Sequence, residues 1–259
     1  MNLFKNTTLC LDSYYLPYDF QTPATPIAEG IIRFHHDLMV LLTFICFFVL
    51  WMLIRTTQLH LYPNKKDLVL TRGAYSFAYF KHQGMFLEIV WTLVPALILM
   101  FVAIPSFALL YSTSTFCSPE LTLKAIGHQW YWSYEISDVP TESEALFNEK
   151  RFDSYMVSES FDKNNKFPRN LCTDKLISLP SQVYIRLLIT SDDVLHSWTV
   201  PAFGVKVDAC PGRLNSVNMI IQREGVFYGA CSEICGVNHA FMPIGVIALS
   251  NIGYFLTRV

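Results

Sequence analysis

The polarity of the chain changes character twice along its length. Residues 38–54 (LMVLLTFICFFVLWMLI) carry no charged side chain, and none occurs between Glu88 and Glu120. The hydrocarbon core of a bilayer is about 30 Å thick, so a helix needs about 20 apolar residues to cross it, with a lower limit near 17. The first run, extended back through His35 and His36, and the second, over 89–111, both predict membrane-spanning helices. Pro95 and Pro105 lie inside the second. Helices in lipid tolerate proline, and each predicts a kink. Two buried helices of a soluble core are the alternative, for which the second run is too long.

From about residue 118 the pattern becomes that of strands. Val183, Ile185, Leu187 and Ile189 alternate with other residues, and residues 121–137 read as an extended segment with Leu121, Leu123 and Ala125 on one face. Pro201, Gly204, Pro211-Gly212, Gly225, Gly229, Gly236 and Pro243 punctuate the remainder as turns. No long amphipathic helix is evident, so an all-β sandwich is expected. Residues 138–175 are polar and irregular and read as a surface excursion. The predicted organisation is a tail over 1–34, a two-helix transmembrane hairpin over 35–111, and a β domain over 112–259.

Composition agrees with a membrane anchor. The chain has 259 residues, 52% hydrophobic and 15% charged, against about 25% charged in soluble domains. A formal net charge of −2 excludes a strongly basic nucleic-acid binder. Arg55, Lys65, Lys66, Arg72 and Lys81 crowd the loop between the spans, whereas the tail holds only Lys5 and Arg33. The positive-inside rule then places that loop inside and both termini, with the β domain, outside. Residues 2–30 show neither a secretory apolar core nor an Arg-rich transit pattern.

Seven cysteines are present, five of them scattered, and only Cys231 and Cys235 form a close pair. An odd, scattered set is a poor disulfide framework. The segment 229–243 (GACSEICGVNHAFMP) places Cys231, Cys235, His239 and Met242 at C-x3-C-x3-H-x2-M spacing. Thiolate, imidazole and thioether form a soft donor set, and the thioether favours copper over zinc. The spacing suits one helical face, but Gly229, Gly236 and Pro243 argue for a folded loop. His196, in SDDVLHSWTVP, offers a second imidazole. Two thiolates can each bridge two metal ions, and a charge shared by two ions changes each bond little on oxidation. A zinc site would need a further ligand cluster, and none is present; a disulfide remains open in an oxidising compartment.

The stretches EIVWTLVPALIL, GHQWYWSYE, FDSYMV, DVLHSWTVPAFGVKVDACPGRLN and YGACSEICGVNHAFMPIG resemble the cytochrome c oxidase subunit II family, a resemblance that covers most of the chain. It implies a cupredoxin-like sandwich with a dinuclear copper centre, Cu A. The implied ligands are His196, Cys231, Cys235, His239, Met242 and the main-chain carbonyl of Glu233, whose side chain also reaches magnesium at the contact with subunit I. Trp130 is implied as the electron entry and Glu88 as the mouth of a proton channel. The implied partners are cytochrome c as donor, subunit I with its heme and second copper site, subunit III, and the lipid bilayer. Electrons would arrive singly and pass to heme in subunit I, where oxygen is reduced to water with proton pumping. The family's compartment is the mitochondrial inner membrane, with the copper domain on the intermembrane-space side; FHHDLMV favours this over a bacterial plasma membrane. The insertion-like stretch 138–151, the segment NLCTDKLISLP and Cys210 depart from the family pattern and touch no implied ligand.

Three alternatives compete. The electron-entry domain of a nitrous oxide reductase lacks a two-span anchor, and a quinol oxidase subunit lacks the cysteines. A membrane-tethered copper carrier would need neither the aromatic cluster around Trp130 nor two bridging thiolates. Finally, Glu135, Asp138, Glu142, Glu144, Glu149, Asp153 and Glu159 are opposed nearby only by Lys150 and Arg151. An acidic face would steer a basic donor; Glu135, Asp138 and Asp193 are the expected docking acids. The other aromatics of GHQWYWSYE are expected to serve packing.

Overall fold

The computed structural model describes residues 19–61, 84–114, 118–138, 150–157 and 170–258. Most of the basic loop, most of the 138–175 excursion and the Asp138 side chain lie outside the described residues. The chain forms two compact units: Arg33–Ala108, and the flanking residues up to Ile32 and from Leu109 onward.

Helix α1 runs from Pro26 to Leu61 and helix α2 from Met85 to Ser114. Thr25 caps α1: its Oγ1 accepts from the Ala28 N–H at 3.1 Å, and Pro26 takes the first helical position, where a missing N–H costs nothing. Both helices are long and apolar enough to cross a membrane, and none of the most apolar window of either is buried. Helix α2 continues through Pro95 and Pro105, and the Thr92 hydroxyl donates to the Glu88 carbonyl at 2.9 Å. Phe34, Leu38 and Leu41 of α1 face Ile98, Phe101 and Val102 of α2 across a shallow recess.

The second unit is a sandwich of two five-stranded sheets. Its strands are β1 (Leu121–His128), β2 (Tyr131–Asp138), β3 (Lys150–Ser154), β4 (Ile177–Pro180), β5 (Tyr184–Ser191), β6 (His196–Val200), β7 (Val205–Ala209), β8 (Asn215–Ile220), β9 (Gly225–Cys231) and β10 (Pro243–Leu249). One sheet has the order β3-β2-β1-β5-β8, the other β4-β10-β9-β6-β7. β1 pairs with β5, and β4 with β10, in parallel. A short helix, α3 (Asn251–Arg258), follows β10.

The alternation expected for 183–189 is present: Ile185, Leu187 and Ile189 are fully buried, as are Leu123 and Ala125 of β1. Opposite them lie Ile177, Leu179, Trp198, Val200, Phe227, Ile244 and Val246. Each such aliphatic burial contributes roughly 1.5–3 kcal/mol. The segment read as extended over 121–137 is two antiparallel strands that reverse at Gln129-Trp130, with Ala125 opposite Tyr134. The excursion is less irregular than its polarity implies. β3 lies within it and pairs with β2, and Phe152, opposite Tyr134, packs on the core.

Residues 22–28, read in sequence as part of a tail, are built into the sandwich. The Ala24 N–H donates to Ala202 O and the Gln222 N–H to Ala24 O, both at 2.8 Å. The Thr25 hydroxyl donates to Phe203 O at 2.7 Å, and Arg223 donates to the carbonyls of Thr22 and Pro23. Gly204, at φ +64°, carries no Cβ that would come within 2.8 Å of Ala28 Cα. Ala24 and Thr25 are fully buried.

Candidate metal centre

Two ligand positions come from strand ends fixed by the core. His196 opens β6 and Cys231 closes β9; the two strands pair with Trp198 opposite Cys231, and the Ser232 N–H to Ser197 O bond extends the ladder. His196 Nδ1 lies 3.9 Å from Cys231 Sγ. The loop after β9 supplies the rest. Cys235 Sγ lies 4.0 Å from Cys231 Sγ, 3.5 Å from His239 Nδ1 and 3.5 Å from Met242 Sδ. The Glu233 carbonyl oxygen lies 3.3 Å from Cys231 Sγ. The donor atoms of His196, Cys231 and Cys235 all fall within 4.8 Å of one another. Both thiols are free, at about twice the ~2.05 Å of a disulfide bond. The loop is not a helix: Gly236 takes φ +127° and a single 3-10 turn spans His239–Phe241.

His196 is fully buried and tightly held. Its ring lies over Gly127, where a Cβ would come within 2.8 Å, and edge-on to Trp132 at 5.9 Å. Its outer nitrogen, Nε2, meets Asp193 Oδ1 at 2.8 Å. A carboxylate on the far nitrogen fixes the ring's tautomer and leaves Nδ1 for a metal. Asp193 is itself well supplied with donors: Oδ2 accepts from the Gln129 N–H and Oδ1 from the Val194 N–H, both at 2.6 Å. Partial burial would raise this carboxyl, but the hydrogen bonds from His196, Val194 and Gln129 outweigh it and hold Asp193 below the usual carboxylate range. For His196, burial opposes protonation, but Cys231 and Asp193 outweigh it and hold the imidazole above its ordinary value. Burial also opposes the Cys231 thiolate. Hydrogen bonds from His196, from the main chain of Ser197 and Glu233, and from His239 bring this thiol down nonetheless. Cys235 goes the other way, raised by burial and by the neighbouring Cys231.

The remaining expected residues lie in different settings. Trp130, half-buried, sits in the β1–β2 turn against the metal loop. Glu135 is held between Lys124, at 2.8 Å, and Arg151, at 3.5 Å. Asp193, expected at a docking face, is turned to His196. Glu88 is in the first turn of α2, its N–H donating to Gly84 O. Trp132, expected to pack, is fully buried and also donates from Nε1 to the Met242 carbonyl at 3.3 Å. Gln129 was not singled out by the sequence; its Nε2 donates to the Cys235 carbonyl at 2.8 Å. The D-x-x-H spacing of Asp193 and His196 is the one sequence signal that points to an oriented ligand. For Gln129 there is none.

The donor set fits a soft metal. Two thiolates, two imidazoles, a thioether and a carbonyl converge, and the outward nitrogen of His196 is already engaged. A His/Cys/Cys cluster of this kind is compatible with copper. Fold and site together define a class: a β-sandwich with a soft-ligand metal cluster at the ends of its strands, preceded by two helices able to span a bilayer.

The comparisons with known proteins narrow that class. The family model for the cytochrome c oxidase subunit II periplasmic domain matches residues 121–249, and that for the subunit II transmembrane domain matches 13–109. Cytochrome c oxidase subunit 2 of Phytophthora megasperma is 53% identical over 232 residues, 89% of this chain and 82% of that protein. The subunit 2 of Oenothera berteroana is 48% identical over 253 residues, 97% of this chain and 93% of that protein. The crystal structure of the periplasmic domain of subunit II of cytochrome oxidase from Bradyrhizobium japonicum is 39% identical, with a TM-score of 0.46 over 55% of this chain and 94% of that one. The chain belongs to the cytochrome c oxidase subunit II family.

Proposed function

We propose that this chain accepts electrons one at a time from cytochrome c at a dinuclear copper centre and passes them to heme in subunit I, where oxygen is reduced to water with proton pumping. The observation that carries the reading is the pair of free thiols 4.0 Å apart, flanked by His196, His239 and Met242. A bound copper pair would supply a site that gains and loses one electron with little nuclear rearrangement. The residues of this chain hold and shape that site. Cys231 and Cys235 would hold the pair by their thiolates, His196 and His239 would each give Nδ1, and Met242 Sδ and the Glu233 carbonyl would complete the set. The Glu233 side chain would serve magnesium at the contact with subunit I. Asp193 orients His196, and Trp132 anchors the Met242 main chain.

Trp130 is the proposed port for the donor. Lys124 and Arg151 already neutralise Glu135, so steering falls more to acids such as Asp192, whose side chain is 76% exposed. Glu88 would feed a proton channel of subunit I. The proposed setting is the mitochondrial inner membrane, with spans near 35–54 and 89–111 and the copper domain on the intermembrane-space side, in company with subunits I and III. A tethered copper carrier is the reading to beat. It gives no reason for a tryptophan seated on the metal loop.

Paramagnetic resonance of the copper-loaded chain tests the centre. The expected signal is hyperfine splitting from one electron shared equally by two copper nuclei; splitting from a single nucleus, or one metal per chain, overturns the dinuclear reading. In the assembled oxidase, Trp130→Ala should slow oxidation of cytochrome c sharply with copper content unchanged. Unaltered turnover removes Trp130 from the path.

A further inference from the structure

We infer that Gln129 is a positioning residue, which clamps the turn carrying Trp130 to the metal loop and so holds the indole on its seat at Gly236. The inference rests on the proposed role of Trp130 as electron entry and deepens it.

Three observations carry it. First, the Gln129 side chain donates from Nε2 to the Cys235 carbonyl at 2.8 Å, so it grips the main chain of a metal-loop cysteine. Second, the Gln129 N–H donates to Asp193 Oδ2 at 2.6 Å, and the other oxygen of that carboxylate holds His196 Nε2 at 2.8 Å. The turn is thus tied to Asp193, 64 residues away in sequence and holding His196, and to Cys235, 106 residues away. Third, the indole packs closely on Gly236. A Cβ at Gly236 would be 3.0 Å from Trp130 Cζ2 and 3.3 Å from both Trp130 Nε1 and Gln129 Nε2, and its φ of +127° also favours glycine.

The indole itself has no polar tether. Trp130 Nε1 is buried without a hydrogen-bond partner among the described residues. A buried indole N–H normally finds an acceptor, which would fix the ring. Here the ring's place is set by packing on Gly236 and by the two bonds of the preceding residue. Were Gln129 only a turn former, its side chain would have no reason to reach across to Cys235, since the adjacent strands β1 and β2 already pair through His128 and Tyr131.

The test is Gln129→Leu in the assembled oxidase, which keeps the bulk and removes the donor. Copper content and the paramagnetic signal should match the parent. The KM for cytochrome c should be unchanged, while the rate of electron entry falls several-fold, because electron transfer weakens steeply as the distance from donor to acceptor grows. In the metal-free chain, the Trp130 indole N–H, assigned by its loss in Trp130→Phe, should exchange with solvent about tenfold faster, near the upper end of what one lost hydrogen bond releases. Gln129→Asn, which keeps the amide but falls short of the carbonyl, should reproduce both effects and serves if Gln129→Leu does not accumulate. Parent-like entry and exchange in these variants, or loss of copper from them, overturn the positioning role. If Trp130→Phe also leaves entry unaltered, the port reading fails; if Trp130→Phe slows entry and the Gln129 variants do not, only the clamp fails.

Discussion

Replacing Asp193 by alanine separates two effects that the structure couples. The carboxylate takes His196 Nε2, the Gln129 N–H and the Val194 N–H. Its loss leaves the outer nitrogen of a fully buried imidazole without that partner. Losing a carboxylate that orients a metal-bound histidine typically costs 10- to 100-fold in metal affinity, or about 1.4–2.8 kcal/mol. The sign of the pH dependence follows from the two shifts. Asp193 is held low, so its contribution is present above the ordinary carboxylate range and lost as pH falls through its folded value. His196 is held high, so its contribution is present below the ordinary imidazole value and lost as pH rises through its folded one. In the metal-free chain the charged pair therefore acts between about pH 4 and 6.5, and there it competes with a metal, which needs neutral imidazole. Asp193→Ala should weaken copper binding 10- to 100-fold at pH 8, and the deficit should shrink toward pH 6. Chelator competition on the solubilised apo chain measures both. Equal affinity at pH 8, or a deficit that widens in acid, refutes the orienting role.

Three further outcomes are expected. Gly229→Ala places a methyl group against the Thr199 carbonyl oxygen across the β6–β9 pairing and should cost about 3 kcal/mol, read as a shift in denaturation midpoint; a parent-like midpoint removes the clash. Thr25→Val strips a hydroxyl that both donates to Phe203 O and caps α1. The expected cost is about 1–2 kcal/mol, or a melting temperature lower by about 2–8 °C; no change would mean that residues 22–28 do not brace the sandwich. Trp132→Phe keeps the packing and deletes the bond to the Met242 carbonyl; the copper hyperfine pattern should change while stoichiometry holds, and an identical pattern would show that this anchor does not tune the thioether.

The sequence discloses those parts of the molecule that side chains alone decide. The buried face of β5 is legible because a sandwich covers one face of that strand, so Ile185, Leu187 and Ile189 recur at period two. The spans are legible because lipid demands unbroken apolar runs. The metal set is legible in part, since Cys231, Cys235, His239 and Met242 share one short segment; His196 comes from another strand and is joined to them only by family resemblance or by the fold. What stays hidden is carried by main-chain groups. Residues 22–28 join the sandwich through the Ala24 N–H and C=O and the carbonyls of Thr22 and Pro23, and every residue has such groups. Gln129 reads as an ordinary turn residue because its target is the carbonyl of Cys235. Asp193 is the intermediate case: its D-x-x-H spacing to His196 is visible, but the histidine that claims it is recognised as buried only once β6 is in place.

That same division orders the site mechanically. His196 and Cys231 stand on paired strands whose inner faces are buried, so the core fixes their positions. Cys235, His239 and Met242 stand on a loop whose Ile234 and Val237 are 82% and 90% exposed. That loop is drawn to the sandwich by two side-chain donors, Gln129 on the Cys235 carbonyl and Trp132 on the Met242 carbonyl. Both donors belong to the same reversal of chain between β1 and β2, and Trp130 lies between them. The turn that would receive the electron is therefore also the turn that closes the ligand loop. A donor seated on Trp130 would meet the element that also bonds the Cys235 and Met242 carbonyls, the Trp132 bond bearing on the thioether and the Gln129 bond on the seat of the indole.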